Sequence, residues 1–72
     1  MNYNNVETRK RIGSRISELR KSKGVTIRKL ADATGINKGN ISRIENGRYS
    51  AGLDVLGKMA HALGCKIEVV DG

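Results

Sequence analysis

Apolar residues recur along this chain at the spacing of helices that bury one face, and glycines and short polar caps punctuate the intervals between them. Ile12, Ile16 and Leu19 stand four and three residues apart and make one stripe of an amphipathic helix over Arg9–Lys23, which Gly24 ends. Thr26 is placed to cap a second, shorter helix, whose residues Leu30, Ala31 and Ala33 lead into Thr34 and Gly35. Glycine there permits a left-handed turn. Asn37 caps a third helix with Ile41 and Ile44 on its inner face, and Asn46 and Gly47 stop it. Ser50 is the expected cap of a fourth, with the stripe Leu53, Leu56, Met59, Ala60 and Leu63, Asp54 in the first turn opposing the positive dipole end, and Gly64 closing it.

The tail differs. Residues 65–70 alternate and are β-branched, which predicts a short strand with Cys65, Ile67 and Val69 on one face. Unless a segment near Tyr3 pairs with it, its edge lies open or joins the same strand of a second copy. The pattern therefore predicts an all-α fold of four to five helices with a short C-terminal β-strand at 65–70. No repeat, linker or low-complexity stretch divides residues 1–72, so one domain is expected.

The second and third helices, with the tight joint Thr34-Gly35-Ile36-Asn37 between them, make a helix-turn-helix over residues 27–46. Steps of about 100° per residue put Ile41, Ile44 and Glu45 on one side of the third helix and Gly39, Ser42, Arg43 and Asn46 on the other. A helix fits the major groove of B-DNA, and an Arg in its first turns can make paired hydrogen bonds to guanine. Arg43 is the candidate. Glu45 flanks Ile41 on the inner side, where an unpaired carboxylate is costly. Either it leans out to water, or it pairs with Arg20, which flanks the stripe of the first helix beside Ile16.

Charge sharpens this picture. The net charge is +7, and residues 1–24 carry seven basic and two acidic side chains, residues 25–50 five and two, and residues 51–72 two and three. A basic face over the first two thirds suits a polyanion. With 72 residues the chain hides only about 60% of its unfolded surface, leaving little material for a water-excluding cleft, so a binding module is expected rather than an enzyme. Single-stranded nucleic acid is disfavoured, because Tyr3 and Tyr49 are the only rings on which bases could stack. A membrane surface is disfavoured because the apolar stripes are needed for the core. His61 and Cys65 stand four residues apart without further ligands nearby, so no metal or other cofactor is expected, and His61 has no partner for catalysis. A polar amino terminus, one cysteine and no apolar run long enough for a bilayer point to the cytoplasm, with no small-molecule substrate.

The segments ISELRKSKGVTIRKLADATGI, ISRIENGR and LDVLGKMAHALG, with small Ala31 where two helices cross and Gly35 in the turn, carry a specific resemblance. Over about Ile12–Leu63 the chain resembles the phage-repressor and Cro type of helix-turn-helix proteins, also called the XRE family. The resemblance implies a compact lambda-repressor-like domain binding double-stranded DNA. It implies that Lys38, Gly39 and Arg43 point at bases, that Thr26, Arg28, Asn46, Gly47 and Arg48 lie near phosphates, and that Arg20 bridges to Glu45. Asn37 and Ser42, beside these, are assigned to phosphate as well. Gly39 stands where the family often has a long polar reader, so Lys38 or Asn40 is expected to take over a base contact. Ala51 and Gly52 replace a frequent Pro-Ser, which loosens the cap of the last helix.

The family also serves different roles. The expected function is a transcriptional repressor acting as a homodimer, with recognition helices one DNA turn, about 34 Å, apart on a near-palindromic operator. The alternative is an antitoxin that binds a toxin protein as well as its operator. Antitoxins of the HipB and HigA type resemble this chain in following the fourth helix with a strand, which in the HipB type pairs across the dimer.

Overall fold

The computed structural model describes residues 3–72; Met1 and Asn2, the start of the polar amino terminus, lie outside them. Among the described residues four helices form: α1 (Asn5–Ser22), α2 (Ile27–Thr34), α3 (Lys38–Glu45) and α4 (Leu53–Ala62). The stripes meet in one core of Ile16, Leu30, Ile41, Ile44, Met59 and Leu63, where Ile41 and Met59 are 0% exposed. Each such side chain contributes about 1.5–3 kcal/mol by leaving water. α1 packs on α3, and α2 packs on both α3 and α4. The third helix is thus held from behind by two others while its far side stays open.

α1 begins at Asn5, not at Arg9, because its start is set by capping rather than by the apolar stripe. The Asn4 side-chain oxygen accepts the N–H of Glu7 at 3.0 Å, and Glu7 lies in the first turn, where the dipole favours a carboxylate. The extra residues carry α1 past the C-terminal end of α3. There Gly13 is buried at the crossing, and a Cβ on it would collide with the Ile44 carbonyl oxygen and stand 2.9 Å from that of Glu45. Only a glycine lets the two backbones come this close.

Three expectations are corrected. α4 is entered from Gly52 without a side-chain cap, so Ser50 does not fill that place. Leu53 is 71% exposed, because the first turn of α4 overhangs the core and Val55 and Leu56 are the first residues to reach it. The short C-terminal β-strand is absent among the described residues: 65–70 hold no regular structure. A strand needs neighbouring N–H and C=O groups, and helix α1 takes up the chain from Asn5, so no segment near Tyr3 pairs with the tail. Nor do Cys65, Ile67 and Val69 share a face. Cys65 packs against the core and Ile67 lines a groove beside α1, whereas Val69 is fully exposed. No helix in the described residues is long and apolar enough to cross a membrane.

Candidate nucleic-acid interface

The turn between α2 and α3 is locked from both ends. Thr26 caps α2 by accepting the N–H of Lys29 at 3.1 Å, which leaves its own O–H free to donate outward. Thr34 donates its hydroxyl to the Leu30 carbonyl at 2.7 Å and accepts the N–H of Ile36 at 3.2 Å. Gly35 takes φ +76°, the left-handed conformation that closes the helix, and returns its N–H to Ala31. Asn37 then accepts the N–H of Gly39 at 2.7 Å and starts α3.

α3 divides cleanly. Ile41 and Ile44 face the core, and Lys38, Gly39, Arg43 and Asn46 are exposed, with Asn40 and Ser42 half-buried. Arg43 donates from Nη1 to Asn40 Oδ1 at 3.1 Å, so these two side chains lie together one turn apart on the open face. A Cβ at Gly39 would stand 3.0 Å from the Asn37 side-chain oxygen. That oxygen ends a flexible side chain and can shift, so the structure gives no steric reason for a glycine at this position. Thr26 and Arg28, at the N-terminal end of α2, and Asn37 are exposed as well. The first turn of α2 contains no carboxylate, so its positive end is open to an anion.

Behind this surface Arg20 and Glu45 tie α1 to α3. Arg20 Nε donates to Glu45 Oε2 at 2.7 Å and Nη2 to Oε1 at 3.0 Å, a two-pronged contact between buried side chains, and Nη1 donates to the Val25 carbonyl at 2.9 Å. The hydrogen bonding of Arg20 to the Glu45 carboxylate raises the pKa of Arg20 against the opposing effect of burial, with the carboxylate charge adding to the rise. A raised Arg stays protonated below its folded value, so the guanidinium keeps its charge until strong alkali. Among the described residues no buried side-chain nitrogen or oxygen lacks a partner.

The end of α3 is wound back on itself. Gly47, at φ +70°, returns its N–H to the Ile44 carbonyl, and Arg48 returns its own to Arg43 at 2.8 Å. Asn46 donates its side-chain amide to the Ser42 carbonyl at 2.8 Å. The Gly47 carbonyl accepts Arg9 Nε at 3.3 Å, and Gly47 is buried. Asn46 and Arg48 are exposed on either side of it. Sequence reasoning did not find Gly13 or the Arg9 contact. Neither carries a local signal, because both act where α1 meets the end of α3. No group of three or more His, Cys, Asp or Glu able to hold a metal occurs among the described residues.

Comparison with known proteins agrees with this geometry. The family model described as helix-turn-helix matches residues 16–70. A search of curated proteins found no match. Among solved structures, the clp gene regulator ClgR from Corynebacterium glutamicum is 36% identical with a TM-score of 0.80, covering 82% of this chain and 76% of that one. In another structure of ClgR the TM-score is 0.78 at the same identity, over 81% of this chain, which spans 62% of that one. The restriction-modification controller protein C.AhdI from Aeromonas hydrophila is 28% identical with a TM-score of 0.80, covering 83% of this chain and 91% of that one. The matched residues include the whole of α2, the turn, α3 and α4, and the chain belongs to the helix-turn-helix family, of the phage-repressor and Cro type.

Proposed function

We propose that the chain, acting as one domain in the cytoplasm, binds double-stranded DNA in a sequence-dependent manner and regulates transcription. The observation that carries this reading is the open face of α3. Its isoleucines and the Arg20–Glu45 pair anchor it behind, and Arg43 is exposed on it beside Asn40. Lys38, Gly39, Asn40 and Arg43 approach base edges in the major groove. Thr26, Arg28, Asn37, Ser42, Asn46 and Arg48 lie toward phosphates; Gly47, expected at a phosphate too, is buried with its N–H bonded to Ile44 and shapes the turn between the last two instead. The two similar regulators, one of clp genes and one of a restriction-modification system, support a regulatory role.

Phosphate contacts set affinity and base contacts set sequence preference. The test is selection of bound duplexes from a random pool at moderate salt, followed by titration of the selected and a scrambled duplex. Arg43→Ala is expected to lose about 1–3 kcal/mol on the selected duplex, concentrated at one base position. Equal losses on both duplexes would sink the assignment. Arg48→Ala is expected to weaken both duplexes alike and to flatten the dependence of log K on log salt by about 0.9; a loss confined to the selected duplex would show that Arg48 reads bases instead.

The acting species in this reading is a homodimer that represses from a near-palindromic operator. The apolar tail favours a protein partner of some kind, since Ile67, Val69 and Val70 are all exposed. A second copy docking on the exposed Ile67, Val69 and Val70 gives the dimer; a toxin protein docking there gives an antitoxin. A particle of twice the chain mass in light scattering, with no co-purifying protein encoded nearby, identifies the repressor.

A further inference from the structure

We propose that Lys10, on the first helix, is a phosphate-binding residue of the DNA interface, an inference that rests on the duplex-binding reading above. The turn Asn46-Gly47-Arg48 presents two exposed polar residues with a buried glycine between them. Gly47 has nothing left to offer an anion, because its one donor, the N–H, goes to the Ile44 carbonyl. What covers it is Lys10. A Cβ on Gly47 would stand 2.6 Å from Lys10 Cγ and 2.9 Å from Lys10 Cα, so the lysine stem lies directly across the glycine. Lys10 itself is exposed, and no ion pair engages it among the described residues. Its stem rests on the protein while its ammonium stands in water, the usual posture of a surface lysine.

Direction separates Lys10 from its basic neighbours. Steps of about 100° per residue set Lys10 roughly 200° away from Ile12 around α1. Ile12 lies with Leu19 along the groove shared with α4 and the tail, and Arg11 and Arg15 line that same groove, Arg15 paired with Glu18. Arg9 is half-buried and gives its Nε–H to the Gly47 carbonyl. Lys10 alone of this run combines an exposed charge with contact to the turn that carries Asn46 and Arg48. A DNA backbone approaching that turn meets the Lys10 ammonium where the glycine amide is withheld. Because the first turns of α1 extend beyond its apolar stripe, they serve here to bring a cation to the end of α3.

The charge is read by salt dependence. Binding of the selected duplex and of its scrambled counterpart is followed by fluorescence anisotropy over a salt series for the unaltered chain, Lys10→Gln, Lys10→Arg and Arg11→Gln. Lys10→Gln keeps most of the stem over Gly47 and removes the charge. It is expected to flatten the slope of log K against log salt by about 0.9, with equal fold losses on both duplexes and an unchanged melting temperature. Lys10→Arg should restore the slope, and Arg11→Gln, which removes the same charge from the other flank, should leave it alone. Equal slopes for Lys10→Gln and the unaltered chain overturn the proposal while leaving duplex binding intact, as does an equal flattening by Arg11→Gln, which would reduce the effect to net charge. Failure of the unaltered chain to bind either duplex at low salt removes the underlying reading as well.

Discussion

Glu45→Ala is expected to lower the unfolding free energy by about 3–5 kcal/mol, the loss typical of removing one partner from a buried ion pair. The reason lies in what stays behind. Arg20 is only 7% exposed and would keep one hydrogen bond, to the Val25 carbonyl, while losing both prongs to Glu45. A guanidinium left buried beside an empty site must draw in water or force α1 off α3. Native domains are stable by about 5–15 kcal/mol, and one of 72 residues sits at the low end, so the variant is expected to keep only about 0–2 kcal/mol at ambient temperature. Urea titration measures this as a fall in midpoint at constant slope. Replacing both partners together, Arg20→Met with Glu45→Leu, is expected to recover most of the loss, since an apolar pair of similar volume needs no solvation. A loss below about 1 kcal/mol in Glu45→Ala would place the pair with solvent-screened surface contacts, and α3 would then need another anchor.

The helices were legible because burial imposes a period on the residues that must face inward. Ile16, Leu30, Ile41, Ile44, Met59 and Leu63 all belong to stripes visible in the sequence, and all are core. The caps at Thr26 and Asn37 were readable for a similar reason: an orphan N–H at a helix start selects a short polar side chain. The start of α1 escaped notice although its signal is present, since Asn4 and Glu7 stand at the spacing of a capping box. It was overlooked because the apolar stripe begins only at Ile12. Leu53 and the tail failed on the same physical point. A periodic pattern states which face could be buried, but not whether anything lies opposite it, and neither Leu53 nor Val69 is covered among the described residues.

The open face of α3 follows from the same logic, as the complement of the buried one. Tertiary placement was harder to read. Arg20 and Glu45 are twenty-five residues apart, and what drew attention to them was two charged groups flanking apolar stripes. Arg9, Lys10 and Gly13 flank nothing apolar in the third helix. Their roles arise from the crossing of α1 over the last turn of α3, a geometry that no local pattern encodes.

That crossing can be tested with one substitution made at two places. Gly13→Ala is expected to destabilise the fold by about 2–3 kcal/mol, at the upper part of the range for overpacked sites, because the added methyl meets backbone rather than a side chain that could rotate away. The Ile44 and Glu45 carbonyls belong to the end of α3, so relief requires α1 and α3 to separate, which strains the Arg20–Glu45 contact at the same time. Gly57→Ala is the matched comparison. Gly57 lies inside α4, and a Cβ there meets nothing within 4 Å, so alanine should gain its helix propensity of about 1 kcal/mol unopposed. Both glycines are helical, so intrinsic propensity alone predicts the same stabilising sign for each. Opposite shifts in the urea midpoint therefore isolate the contact. If both variants gain stability, α1 does not approach α3 closely at Gly13. The placement of Arg9 and Lys10 over Gly47, one turn earlier on the same helix, would then fall with it.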